Sequence, residues 1–156
     1  MGDVTSRQFV DLELKLVRHI FNDQKCIEPM VVLVKGDTRT LTPVMFQNGD
    51  DDSKDIVSEG IKVLVRMFNP DAVVYMCEAW GVKSTKYDLN EVRPSEHPNR
   101  IELLMVRIEF KTGEKYDCSA NIIRKEKEVL LSDFEIIPGE TTMGRFVDFY
   151  PIGKVN

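Results

Sequence analysis

The sequence predicts an α+β fold, with an antiparallel sheet of about five to seven strands and two helices packed mainly on one face. Two amphipathic helical segments flank a short β-prone stretch, and the second half of the chain is a series of β-prone runs joined mostly by short turns. Short connections favour antiparallel pairing of neighbouring strands. We expect a single domain spanning residues 1–156, because this length suits one core and no linker-like composition interrupts it.

The first helix is predicted over residues 5–22. Thr5 is followed three residues later by Gln8, which is the capping-box pattern of a helix start. Apolar residues then recur at helical spacing and form one broad face: Phe9, Val10, Leu14, Leu16, Val17, Ile20 and Phe21.

A β-hairpin should follow this helix. The β-prone runs 30–34 and 38–46 flank the pair Gly36-Asp37, which is typical of a tight turn between two strands. Pro43 has no backbone N–H, so the second strand should lie at a sheet edge or end there.

The second helix is predicted after the acidic stretch NGDDDSKD. Its spacing does not match a calcium-binding loop, whereas Asp51, Asp52 and Ser53 suit the start of a helix and its dipole. Asn69-Pro70 should end the helix, and Gly60 in its middle predicts close packing on a neighbour. The apolar side is formed by Ile56, Val57, Gly60, Ile61, Leu64, Val65 and Phe68.

The remaining chain is predicted to be strands. The run 72–80 is almost continuously apolar, as expected of a central strand covered on both faces. The turn KTGE joins the strand 100–110 to the strand 115–125, and a strand 128–137 follows. RFVDFY at 145–150 alternates in hydropathy and could form one last short strand, while 81–99 is a long connection.

Composition and charge narrow the class of protein. A net charge of −5 and a pI near 5.1 argue against binding nucleic acid through phosphate contacts. Three widely spaced cysteines argue against a disulfide framework. Without a signal-type segment or a long apolar run, we expect a cytoplasmic protein that does not enter a membrane. A homo-oligomer or a protein partner is the expected form of association.

The segment around NEVRPSEHPNRIE holds the candidate ligand-binding cluster: Glu78, Trp80, Arg93, Glu96, His97 and Arg100. Glu78 shares a face of its strand with Trp80 and needs a cationic partner if it is buried. In one hypothesis the cluster binds an anion or performs acid–base chemistry, with Glu78 or Glu96 orienting His97. In the other, 81–99 is a rigid crossing stiffened by prolines, and Arg100 pairs with Glu78.

Catalytic signatures are scarce. The chain contains no phosphate-binding glycine loop, nucleophile elbow or HExxH motif, and its two histidines are far apart. Cys77 and His97 could form a nucleophile and base, but apolar neighbours of Cys77 should raise the thiol pKa. These observations leave open whether the protein is an enzyme, but they favour a protein that is not one. Neither a cofactor nor a metal is expected.

The residues EAW at 78–80 and RPSEHPNRIELLMV at 93–106 resemble a family of small bacterial and phage-type α+β proteins. The resemblance covers the middle of the chain and carries no activity with it. It implies that a strand end of the form E-A/S-W and a segment P-S-E-H/D-P-x-R-x-E form the defining cluster of the family: Glu78, Trp80, Pro94, Ser95, Glu96, Pro98, Arg100 and Glu102. Because an acid is equally acceptable in place of His97, the resemblance speaks against an obligatory histidine base.

These observations favour a non-enzymatic protein that acts by binding a partner or by self-association. The alternative is a small hydrolase or an anionic-ligand-binding protein that uses Glu78, Glu96, His97 and Arg100.

Overall fold

The computed structural model describes residues 5–44, 51–82, 100–139 and 148–150, without the side chains of 51–53 and 82. In these residues two helices and one antiparallel sheet of seven strands form an α+β fold, as the sequence predicts. The predicted strand over 145–150 lies largely outside the described residues, and 148–150 themselves are not a strand.

The first helix, α1, spans Ser6–Gln24 and begins with the predicted capping box. The Gln8 N–H donates to Thr5 Oγ1 at 3.1 Å, and the Thr5 N–H donates to Gln8 Oε1 at 3.0 Å. Lys25 ends the helix in a left-handed conformation with φ of 62°. The start of α1 therefore follows from local chemistry that is visible in the sequence, whereas its end rests on a left-handed lysine that no residue pattern predicts.

Strands β1 (Met30–Lys35) and β2 (Thr38–Pro43) form the predicted hairpin, with Gly36 at φ of 57° in the turn. Helix α2 spans Asp51–Phe68 and ends where Asn69 takes a left-handed φ of 47° before Pro70. The sheet continues with β3 (Ala72–Val82), β4 (Arg100–Phe110) and β5 (Lys115–Arg124).

The predicted strand 128–137 is split in two. β6 spans Val129–Leu131 and β7 spans Glu135–Pro138. β6 pairs with β5 near its end and β7 pairs with β5 near its start, so the strand order is β2-β1-β3-β4-β5 with β6 and β7 sharing the far side of β5. Ser132 marks the break, where its N–H donates to the carbonyl of Asn121 at 2.9 Å.

The two helices lie on opposite faces of the sheet, whereas the sequence analysis placed them mainly on one. α1 packs with Val32, Val34 and Val74, while Ile61 and Val65 of α2 pack with the intervening positions on the same strands, including Val31, Leu33 and Val73. Successive residues of a strand point to opposite faces. The nearly unbroken apolar runs of β1 and β3 therefore require a cover on each side.

Neither α1 nor α2, the helices in the described part of the chain, is both long and apolar enough to cross a membrane.

Candidate functional site

The candidate cluster lies where β3 and β4 extend past the end of α1. On β3, Val74 and Met76 are buried beneath α1, and Glu78 and Trp80 continue the same face towards the end of the strand. Trp80 remains 42% exposed because it lies beyond the apolar cover. Period-two alternation thus carries this face from the core to the surface.

Trp80 and Arg100 form the outer part of the cluster. The antiparallel register places Trp80 opposite Glu102 and Val82 opposite Arg100, so Arg100 is a diagonal neighbour of the indole. Its guanidinium carbon lies 4.9 Å from the centre of the Trp80 ring. At an exposed site such a cation–π contact contributes about 0.5–1 kcal/mol, so it holds the two side chains together without burying either.

Glu78 and Glu102 form the inner part of the cluster with Arg124 of β5. Arg124 Nε donates to both carboxylate oxygens of Glu102 at 2.9 Å, and Arg124 Nη2 lies 3.8 Å from Glu78 Oε1. Glu78 Oε1 is buried and accepts no hydrogen bond in the described structure. One guanidinium therefore serves two carboxylates, and Glu78 receives the weaker contact.

This arrangement shifts the pKa of Glu78. Burial raises the pKa of this carboxyl above its ordinary value, while the charge of Arg124 and the backbone N–H of Ile27 act in the opposite direction. The side chain is thus more easily protonated than a solvated glutamate, which would allow its carboxyl to donate a hydrogen bond as well as accept one.

The structure brings together three of the six predicted cluster residues: Glu78, Trp80 and Arg100. The other three, Arg93, Glu96 and His97, lie outside the described residues, as do Pro94, Ser95 and Pro98 of the resemblance. The predicted pairing of Arg100 with Glu78 is wrong, since Arg100 lies over Trp80 and the cation beside Glu78 is Arg124. The register explains this, because Glu78 is opposite Leu104, four residues along β4 from Arg100.

Arg124 was not among the predicted residues of the cluster, although the sequence holds a signal for it. Leu103 pairs with Asn121 across the turn between β4 and β5, and continuing this register sets Arg124 opposite Arg100. Counting outward from KTGE therefore puts Arg124 on the same face as Glu102.

The thiols of Cys77 and Cys118 show little nucleophilic character. Burial raises the pKa of the Cys77 thiol, and it raises that of Cys118 to about 12. Cys77 lies on the opposite face of β3 from Glu78, so it does not belong to the cluster. Within the described ranges, no group of three or more His, Cys, Asp or Glu side chains is placed to hold a metal ion.

The sequence matches a known protein family. The family model described as bacteriophage lambda protein ea47 matches residues 5–154, from the cap of α1 to beyond Phe149. The chain belongs to this ea47 family. No curated protein and no solved structure matches it. The phage-type part of the resemblance is thereby confirmed, while its motif stays a prediction.

A second candidate surface of this chain is the edge of the sheet at β2. The N–H of Val44 donates to the carbonyl of Pro29, the residue before β1, at 3.0 Å, and this bond fixes which β2 residues bond inward. Inward and outward groups alternate along an antiparallel strand, so Thr38, Thr40 and Thr42 bond to β1. The backbone N–H and C=O groups of Arg39 and Leu41 therefore point away from the sheet.

Arg39 is tied to α1 rather than standing free at this edge. Its guanidinium makes a two-point ion pair with Glu13, whose side chain is 4% exposed, and the bond from Nη2 measures 2.9 Å. The charge of Glu13 and its hydrogen bond raise the pKa of Arg39 further. Arg39 is the one charged residue of β2, so the strand presents no uncompensated charge along its outer side.

Proposed function

We propose that this ea47 family member is a non-enzymatic protein that acts by association, and that it binds a second copy of itself through β2. The observation that carries this proposal is the outer edge of β2. Its outward backbone groups bond to no other described strand, it presents no uncompensated charge, and exposed leucines lie beside it. Unpaired edge strands are templates for a further strand, and proteins usually guard them with charges, prolines or bulges.

The guard at this edge is weak. Pro43 removes one outward donor at the very end of β2, but no residue in the described part of the chain bonds to the outward groups of Arg39 and Leu41. An inward-pointing charged side chain on an edge strand normally opposes pairing with another strand, because pairing would bury the charge without a partner of opposite sign. Here Glu13 already neutralises Arg39, so that penalty is largely removed.

An apolar border runs beside the edge. Leu41 is 54% exposed, and Leu12 and Leu16 of α1 are 57% and 43% exposed. Leu41 follows Arg39 by two residues on the same face, and Leu16 follows Glu13 by one helical turn, so the border extends from the Glu13–Arg39 contact. A partner at this edge would cover leucines as well as complete hydrogen bonds.

A second copy fits the edge by symmetry. With a two-fold axis at Thr40, Arg39 of each chain lies opposite Leu41 of the other, and both pairs exchange two backbone hydrogen bonds. All outward donors and acceptors of Arg39 and Leu41 are then used. The result is one sheet running through both chains.

The proposal is tested by measuring mass in solution with light scattering after size exclusion. The parent chain should form at least a dimer of the 17.9 kDa protomer, and Leu41→Lys should shift it towards lower mass because a charge would enter the paired edge. The matched control is Leu130→Lys, which replaces an exposed leucine on the short strand β6 at the other side of the sheet. A monomeric parent, or equal masses for the two variants, would refute association through β2.

The second candidate function is the binding of a small anionic ligand at the Trp80–Arg100 surface. It is favoured by the exposed guanidinium of Arg100 over the indole, and by the raised pKa of the neighbouring Glu78, whose protonated carboxyl can donate a hydrogen bond to an anion. Arg100 would hold a carboxylate or phosphate, and Arg93, Glu96 and His97 are the further residues that the sequence predicts for this site.

A thermal-shift series with inorganic phosphate and with a dicarboxylate tests this candidate. Binding should raise the melting temperature of the parent with ligand concentration. Arg100→Gln should abolish the rise, and Arg7→Gln, which removes an exposed arginine on α1, should keep it. If the ligand still raises the melting temperature of Arg100→Gln, the anion binds at a site other than the Trp80–Arg100 surface.

A further inference from the structure

Helix α2 carries an apolar stripe on its exposed side. Ile56 and Met67 are each 72% exposed and Val63 is 47% exposed, while Ile61 and Val65 on the other side of the helix are buried. Ile56, Gly60, Val63 and Met67 are spaced by four, three and four residues, so they share one face. This face, hereafter the α2 stripe, points away from the sheet.

Gly60 lies in the middle of the α2 stripe. A glycine in a helix interior costs about 1 kcal/mol relative to alanine, which predicts that close packing compensates for it. A Cβ added at Gly60 would meet nothing within 4 Å, so the described chain supplies no such neighbour. The space above Gly60 is open to a side chain from outside.

Two charged residues of opposite sign lie beside the α2 stripe, with the acid nearer its N-terminal end and the base nearer its C-terminal end. Glu59 and Arg66 lie on the same flank, seven residues and thus two turns apart. Glu59 is paired within the helix with Lys62 at 3.1 Å, but its side chain is 66% exposed and has oxygen lone pairs left for a further donor. A partner that matches this flank must present a cation near Glu59 and an anion near Arg66.

A second α2 helix in antiparallel orientation meets all these requirements. With a two-fold axis between Gly60 and Val63, Ile56 contacts Met67 of the second copy and Val63 fills the space above Gly60. The same axis sets Glu59 opposite Arg66 of the second copy. In a parallel arrangement this flank would face the opposite flank of the second helix, and Glu59 would not meet Arg66, so the charge order favours the antiparallel one.

We propose that the α2 stripe is a self-association surface that docks antiparallel on the α2 stripe of a second copy. This surface is separate from the β2 edge, because α2 covers the face of the sheet opposite α1. A chain with two such two-fold surfaces assembles beyond a dimer, either as a closed tetramer or as an open chain.

A charge exchange tests the orientation directly. Glu59→Arg and Arg66→Glu each set like charges opposite one another, so either single variant should raise the dissociation constant by about tenfold or more. The double variant Glu59→Arg/Arg66→Glu restores opposite charges across the axis and should recover most of the affinity. Sedimentation equilibrium across a concentration series measures the dissociation constant of the parent, the two single variants and the double variant. Circular dichroism checks that their helix content is unchanged.

The double variant also controls for effects within the helix. The contact of residue 59 with Lys62 is lost in Glu59→Arg and remains lost in the double variant, so recovery can arise only between chains. Equal affinities for all four chains, or a double variant as weak as the singles, would overturn the proposal.

Repeating the series in the Leu41→Lys background separates the two surfaces. If both operate, Leu41→Lys leaves a dimer of the 17.9 kDa chain that the α2 single variants convert to monomer. If only α2 operates, the parent is already a dimer and Leu41→Lys has no effect. If only β2 operates, Leu41→Lys alone gives the monomer and the proposal for α2 is wrong.

Discussion

Glu109 carries a carboxylate within the core of the sheet. The residue is 2% exposed, and its Oε1 accepts the backbone N–H of Phe149 at 3.0 Å. Burial raises the pKa of Glu109, while the N–H of Phe149 and the charge of Lys115 act against the rise. The folded chain therefore holds the proton of Glu109 more tightly than the unfolded chain does.

We predict that Glu109→Gln removes a pH-dependent loss of stability. The stabilisation due to the raised pKa is complete below the ordinary value of 4.5 and is lost as pH rises through the higher folded value. Glutamine resembles the protonated side chain, so Glu109→Gln should match the parent near pH 4 and become increasingly more stable than it towards neutral pH. Urea unfolding at a series of pH values measures this.

The comparison variant is Glu109→Leu. It removes the acceptor for the Phe149 N–H as well as the titrating carboxyl, so it should be about 1–3 kcal/mol less stable than Glu109→Gln at every pH in the series. A constant difference between Glu109→Gln and the parent across the series would show that this carboxyl is not responsible for the pH dependence.

At the scale of elements, the Glu13–Arg39 ion pair joins α1 to the edge strand. Glu13 is nearly inaccessible, so removing its partner leaves a charge in the core. We predict that Arg39→Met costs about 3–5 kcal/mol in the free energy of unfolding. The double variant Glu13→Met/Arg39→Met should recover most of this loss, since no unpaired charge remains.

Urea unfolding at one fixed protein concentration measures this cycle, because self-association would make stability concentration-dependent. If the double variant is as unstable as Arg39→Met alone, the contact contributes through packing of the two side chains rather than through their charges.

The elements were largely predictable because their signals are local. Thr5 and Gln8 set one end of α1, Asn69-Pro70 ends α2, and Gly36 turns the first hairpin. The face that each helix covers was not predictable in the same way. The periodicity of α2 groups Ile56 with Ile61, yet Ile61 is buried and Ile56 is exposed, because the helix touches the sheet along a narrower strip than its apolar residues occupy.

The candidate site was predictable only in part, since it depends on pairings between distant residues. Trp80 and Arg100 were expected together from neighbouring strands, and the register of β3 with β4 does place them together. Arg124 comes from a third strand, and its contact with Glu78 depends on the register of β4 with β3 and with β5. An error of one residue in either register would turn it to the other face.

At the scale of the whole molecule, residues 148–150 complete one of the two cores. Phe149 is fully buried with Val31 and Val73 on the α2 side of the sheet. Lys115 makes an ion pair with Asp148, and the Tyr150 hydroxyl donates to the carbonyl of Pro70 at 2.8 Å. This short segment thereby links the β4–β5 hairpin to the end of α2.

We predict that Phe149→Ala lowers the free energy of unfolding by about 3–5 kcal/mol, as expected for removing a buried aromatic ring. Tyr150→Phe should cost about 1 kcal/mol, because it removes only the hydroxyl bond to Pro70. Thermal and urea unfolding measure both variants. Near-parental stability of Phe149→Ala would mean that the α2-side core is complete without this segment.

The withdrawal of Arg39 by Glu13 also has a consequence for the order of events during folding. Before α1 docks, Arg39 is a free cation on an exposed strand and discourages nascent chains from joining edge to edge. Docking of α1 neutralises this cation. The edge of β2 should therefore pair with a second chain only after α1 has docked. The Glu13→Met/Arg39→Met variant lacks this cation, so it should aggregate earlier during refolding than the parent chain. Light scattering during refolding measures this difference.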